Sequence, residues 1–224
     1  MTQAQKKERM AEIVARLEEL YPEAVCALEY GGEPWRLLVM ARLSAQCTDA
    51  RVNIVCRELF SVYPTLEELA AAPLSSIEDI VRPCGLFRTK AESIKAACTI
   101  LVERYGGRLP DTMEELLELP GVGRKIANLL LGDIYGKPAI VADTHCIRIC
   151  GRFGMYSTQL KDPHKVENIL CRLVAPEKQS DFCHRIVQFG RDTCSARSPS
   201  CADCVLRELC QFGSKLPKKT EKPL

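Results

Sequence analysis

The sequence predicts an all-α protein of many short helices. Three observations carry this: apolar residues recur at helical spacing through nearly the whole chain, period-two alternation is absent, and capping residues, glycines and prolines punctuate the helices. Of the 224 residues, 46% are hydrophobic, enough for a substantial core in one or two domains. The chain has no internal repeat and no low-complexity linker.

Met10, Ile13, Val14, Leu17 and Leu20 fall on one face of a first helix. Trp35 to Leu43 reads as a buried helix and Ala50 to Phe60 as the next. Capping boxes are expected at Thr65 with Glu68, Ser75 with Glu78, Thr89 with Glu92, and Thr112 with Glu115. Gly106-Gly107 stops the helix that begins near Thr89. Asp162 with Pro163 starts a helix ending near Val174, and Ser180 one ending near Gly190. Two stretches break the helical pattern: the turn Leu119-Pro120-Gly121-Val122-Gly123, and the short extended run Pro138 to Ala142 before Asp143.

The net charge of +2 does not announce a nucleic-acid binder, but its distribution is uneven. Residues 185–224 hold eight Lys/Arg against four Asp/Glu, a local basic patch able to attract phosphate. Lys218, Lys219 and Lys222 read as a solvated tail. The opening residues are polar and no apolar run approaches membrane-spanning length, so a soluble, unexported protein without a membrane partner is expected. Nine of the 13 cysteines are scattered without framework spacing, which points to a reducing cytoplasm. Cys56, Cys98, Cys150 and Cys171 stand at apolar positions of helical patterns, where a free thiol acts as a small hydrophobe.

The other four form a C-x6-C-x2-C-x5-C run, Cys194, Cys201, Cys204 and Cys210. So many soft thiolates in so short a segment read as a metal or iron–sulfur site. Structural zinc usually takes two short knuckles, and only Cys201 and Cys204 make one. The long, short, medium loop order favours a [4Fe–4S] cluster held by all four.

The turn at Gly121 and Gly123 lets backbone approach a ligand closely and aims amides at the start of the next helix, an arrangement that suits a phosphate oxygen. A plain αα-hairpin turn is the alternative for these residues taken alone. Lys125 follows directly, where the helix macrodipole and Arg124 both disfavour an ammonium and push it toward the nucleophilic amine. A neutral amine can attack a sugar carbon and form a Schiff base. Eighteen residues on, Asp143 reads as the N-cap of a helix carrying His145, Ile147 and Ile149. A capped carboxylate is also able to stabilise positive charge on a sugar ring.

Leu119 to Lys125, Asp143-Thr144-His145 and the cysteine run, in that order, resemble the endonuclease III family, bifunctional DNA glycosylase/AP lyases of the helix–hairpin–helix superfamily. Leu43 to Asp49 and Gly85 to Ala91 resemble further family segments, so the likeness covers essentially the whole chain. It implies a six-helix domain over 25–134 carrying the hairpin, and a cluster domain built from 1–24 plus 135–224, with Lys125 and Asp143 across the cleft between them. It implies Lys125 as the Schiff-base nucleophile and Asp143 as its carboxylate partner. Gln46 would fill the gap left by an extruded nucleotide and Leu86 would wedge against the opposite strand. Gly121, Val122 and Gly123 would grip backbone, and His145 and Arg197 would reach phosphate. The implied substrates are oxidised pyrimidines and abasic sites in damaged double-stranded DNA, met by a monomer.

The chain departs from the family pattern at the loop 195–200, where Arg197 is the one basic residue, and at Ile126, where threonine is common. Arg42 interrupts an otherwise apolar helix. Two rivals stand beside this reading. An adenine glycosylase of the same superfamily would lack the lysine, need an acid near position 42 and carry a further C-terminal domain, whereas only 14 residues follow Cys210 here. A non-catalytic helix–hairpin–helix protein with a structural metal would not need Lys125 with Asp143.

Overall fold

The computed structural model describes residues 1–216; the tail bearing Lys218, Lys219 and Lys222 lies outside the described residues. Every regular element among the described residues is a helix, and the chain divides into two compact units. One comprises Cys26–Gly136; the other joins Met1–Val25 to the chain from Lys137 onward. Among the described residues no helix is long and apolar enough to cross a membrane.

In the first unit, α2 (Pro34–Leu43) has proline in its first turn, where a missing N–H costs nothing. It buries Trp35, Leu37 to Ala41 and Leu43, nearly its whole circumference, as a central helix must. Helix α3 (Asp49–Val62) starts from Thr48, whose hydroxyl accepts from the Arg51 amide. Helix α4 (Leu66–Ala71) has both halves of the Thr65–Glu68 capping box. Helices α5 (Leu74–Val81), α6 (Phe87–Tyr105), α7 (Met113–Glu118) and α8 (Arg124–Tyr135) complete the unit. Pro73 parts α4 from α5, so the unit counts seven α-helices where the resemblance implies six. Helix α6 packs against α2, α4 and α5, and α2 also packs against α8.

Two expected caps fall elsewhere. Pro73 takes the cap position of α5, leaving Ser75 inside the helix without a capping bond. Helix α6 begins at Phe87 from a left-handed Leu86, so Thr89 is already in the first turn. Thr112 does cap α7, its hydroxyl accepting from the Glu115 amide at 3.3 Å. Gly106, left-handed at φ 58°, stops α6.

The other unit holds α1 (Gln3–Leu20), α9 (Thr144–Phe153), α10 (Pro163–Leu173) and α11 (Gln179–Asp192). Its core gathers Met10, Ile13, Leu17, Ile149, Phe182 and Ile186, while Leu20 is 40% exposed. Helix α1 packs on α10 and α11, and α11 on α9, with Phe153 and Phe189 stacked 6.2 Å apart. Asp162 caps α10 as expected. Helix α11 grows from the 3-10 turn Pro176–Lys178 instead of starting at a Ser180 cap. Cys56, Cys98 and Cys150 are buried, but Cys171 is exposed on α10. After α11 come three 3-10 turns, Cys201–Asp203, Arg207–Leu209 and Gly213–Lys215.

Candidate functional site

The hairpin between α7 and α8 is shaped by what lies beneath it. Gly121 has φ 79°, and a Cβ there would stand 2.5 Å from Arg42 Nε and 2.8 Å from Ser93. Both backbone strain and space therefore require glycine. Arg42 Nε donates to Ser93 Oγ at 2.8 Å, so the arginine unexplained in the sequence braces the floor of the turn. Val122 closes the turn, its amide donating to the Leu119 carbonyl at 3.0 Å and its side chain buried. Gly123 is exposed extended backbone at the N-cap of α8, and no side chain caps that helix. Lys125, its second residue, is exposed. An exposed amine in a helix's first turn, behind two glycines, is accessible to a polyanion held by the amides.

Asp143 ends the irregular 136–143 stretch and caps α9, its Oδ1 accepting from the Cys146 amide at 2.7 Å. The carboxylate is half-buried, with the capping bond fixing its direction. His145 lies in the first turn of α9, Nδ1 3.2 Å from an Arg148 guanidinium nitrogen. It packs against Gly190 of α11, where a Cβ would come within 2.3 Å of Nδ1. Arg197 is exposed in the loop between the first two cysteines of the run.

Gln46 (φ 55°) and Leu86 (φ 48°) are the two residues other than glycine with positive φ among those described. Left-handed backbone costs an L-residue about 1–2 kcal/mol, so neither is there by default. Both are exposed, Leu86 by 61%, which leaves a large apolar side chain in solvent. Strain of this kind gathers at functional positions. Gln46 sits between α2 and α3, and Leu86 at the head of α6.

The four cysteines of the C-terminal run line one cavity together with Arg152 and Phe212. Gly213 donates its amide to Cys210 Sγ, and Arg152 donates to Cys194 Sγ, each at 3.2 Å. Arg152 also clasps the loop after Cys194, donating to the carbonyls of Ser195 and Ala196 at 2.8 Å each. Burial, with the neighbouring cysteines adding, pushes the thiols of Cys201, Cys204 and Cys210 above their ordinary range. Holding such a set as thiolates takes a strongly positive group among them. Among the described residues no three His, Cys, Asp or Glu side chains stand close enough to share one metal ion. Four thiols lining one cavity are the chemical donor set that an iron–sulfur cluster takes.

Three residues with work to do here escaped the sequence reading. Arg152 and Ser93 carry no local signal, since their partners lie 42 and 51 residues away. Lys90 did leave one: it stands in line with Ile94, Ala97 and Leu101 on the apolar face of α6.

A glycine hairpin joining α7 to α8 defines a helix–hairpin–helix protein. The family described as "HhH-GPD superfamily base excision DNA repair protein" matches residues 39–176. Endonuclease III of Synechocystis sp. (strain ATCC 27184 / PCC 6803 / Kazusa) is 43% identical over 92% of this chain and 94% of its own. That of Bacillus subtilis (strain 168) is 42% identical over 91% and 92%. A solved non-covalent endonuclease III–DNA complex superposes with TM-score 0.87 at 38% identity, covering 96% of this chain and 98% of that one. A trapped endonuclease III–DNA covalent intermediate gives 0.86 at 39%, with the same coverage. The chain belongs to the HhH-GPD superfamily of base excision DNA repair proteins, and within it to the endonuclease III family.

Proposed function

We propose that this protein is a DNA glycosylase and abasic-site lyase that removes oxidised pyrimidines from duplex DNA. The observation that carries the proposal is Lys125, exposed in the first turn of α8 directly behind the Gly121–Gly123 turn. The turn grips backbone phosphates without reading base edges. A damaged or missing base costs less to extrude than an intact one, which is itself a source of selectivity. Gln46 and Leu86 hold the extruded state by occupying vacated space.

Lys125 then attacks C1′ of the flipped nucleotide. The new N–C1′ bond replaces the glycosidic bond, and the base leaves with a proton. The sugar ring opens to an iminium, and the charge that develops is stabilised by the Asp143 carboxylate. Loss of the C2′ proton to water breaks the C3′–O bond, cutting the strand 3′ to the lesion, and hydrolysis of the imine frees the lysine. His145 and Arg197 add phosphate contacts.

The cysteine cavity is proposed to hold a [4Fe–4S] cluster, with Cys194, Cys201, Cys204 and Cys210 as ligands. Four thiolates from these residues would join the end of α11 to the 3-10 turns that follow it, and the group they hold would serve a structural role.

The test is borohydride trapping. The wild-type protein should be captured on abasic DNA, and Lys125→Gln should lose capture and strand cleavage together, by several orders of magnitude. Undiminished trapping of the variant would move the nucleophile elsewhere.

A further inference from the structure

Lys90 is fully buried, at 0% exposure, on the apolar face of α6. Burying an ammonium or an amine without partners is costly, so what it bonds matters. Its Nζ donates to two backbone carbonyls, Leu43 and Cys84, each at 2.8 Å. Leu43 is the last residue of α2, three before Gln46. Cys84 ends the 3-10 turn Arg82–Cys84, two before Leu86. One buried side chain thus ties together the roots of the two left-handed residues. The same residue reaches the hairpin: its carbonyl accepts from Ser93 Oγ at 3.0 Å, and Ser93 accepts from Arg42 beneath Gly121. Arg42, Cys47 and Cys84 are the charged or titratable groups that face it.

We propose that Lys90 is a positioning residue for base extrusion, fixing the spacing of Gln46 and Leu86 so that both enter the duplex as one device. The proposal rests on the roles assigned to those two residues under the proposed function. Strained backbone persists only where its surroundings over-determine it, and two carbonyl anchors on a single rigid helix supply that. Without them, Gln46 and Leu86 relax independently toward commoner conformations. Cleavage at an abasic site, where no base has to be displaced, is far less dependent on their spacing.

The same helix contains a matched control. Lys95 Nζ also donates to two carbonyls, Ala70 at 2.8 Å and Ala72 at 2.6 Å, but these end α4, remote in sequence from both strained residues. The experiment compares wild type, Lys90→Met, Lys95→Met, Gln46→Ala/Leu86→Ala and the triple variant. Each is run in single-turnover assays on duplex containing thymine glycol and on duplex containing an abasic site. Lys90→Met should lose about tenfold or more on thymine glycol and stay within about threefold on the abasic duplex, as expected for misplaced groups outside the bond-making step. Borohydride trapping should survive. Lys95→Met should change both substrates by one common factor, whatever it does to the melting temperature. Added to the double variant, Lys90→Met should cost nothing further, because residues acting through one another are not additive.

A common loss on both substrates, or a full extra loss in the double-variant background, overturns the proposal. If Lys90→Met does not fold, Lys90→Gln, which keeps one donor, takes its place. Failure of both to fold would make Lys90 a support of the whole unit and also overturn it. A wild type that neither excises thymine glycol nor is trapped would sink the functional reading itself, an outcome distinct from an active wild type with an unselective Lys90→Met.

Discussion

At the scale of one residue, Asp143 caps α9 and is proposed to stabilise charge on the sugar, two duties that substitution separates. Its Oδ1 caps α9, a bond that asparagine can also make. Asp143→Asn should therefore keep nearly all stability, and Asp143→Ala should lose about 1 kcal/mol. Both remove the negative charge, so both should lower single-turnover excision by about a hundredfold. Thermal melts run beside the kinetics check this, and activity that tracks stability would leave Asp143 with the cap alone. Gly121 is the other single residue on which much turns. Gly121→Ala puts a Cβ 2.5 Å from Arg42 Nε at φ 79°, and should cost about 1–3 kcal/mol in urea unfolding while weakening duplex binding. The need for glycine is legible in the sequence as a turn, but the reason it cannot be alanine is Arg42 and Ser93, which are distant in the chain.

For the elements, caps distinguish what local sequence specifies from what its neighbours override. Thr65→Ala should cost about 1 kcal/mol because both halves of its capping box are formed. Ser75→Ala should be neutral, since Pro73 holds the cap position of α5 and Ser75 makes no capping bond. Chemical denaturation of the two variants decides it. At the head of α10 the Lys165 amide, chiefly, holds the exposed Asp162 carboxyl below its usual range. A folded-state value lower than the unfolded one makes this cap stabilising above the unfolded value, and the contribution fades as pH falls through the folded one. Asp162→Asn should accordingly flatten the acid side of the stability curve and leave neutral pH little changed. Helices α9 and α11 meet at Gly190, close enough that an added Cβ would strike His145 and Ile149.

The behaviour of the whole molecule should depend on the cysteine cavity and on salt. Protein purified without oxygen should be brown, with about four iron atoms per chain. Stoichiometric zinc from cells supplied with iron and sulfide would overturn the cluster. Cys204→Ala should lose iron, melt lower and bind DNA more weakly, because the loops around Cys194 to Cys210 are otherwise held by bonds from Arg16, Arg148, Arg152 and Arg207 to backbone carbonyls and by backbone turns. Duplex affinity should fall steeply and linearly in a log–log plot against salt, with the same slope for damaged and undamaged DNA, since backbone contacts dominate both.

The helical class, the order of the helices, the glycine turn, the Asp143 cap and the cysteine spacing were all determined by the sequence alone. Each depends on residues within a turn or two of one another, where periodicity and capping chemistry act directly. Tertiary structure decided what depends on chain segments far apart. Lys90 meets Leu43 across 47 residues, Arg42 meets Ser93 across 51, and Arg152 meets Cys194 across 42. It also decided the left-handed backbone at Gln46 and Leu86, which neither residue type favours. A side chain's identity shows that it can bond or strain, but the partner that makes it do so arrives only when the chain has folded.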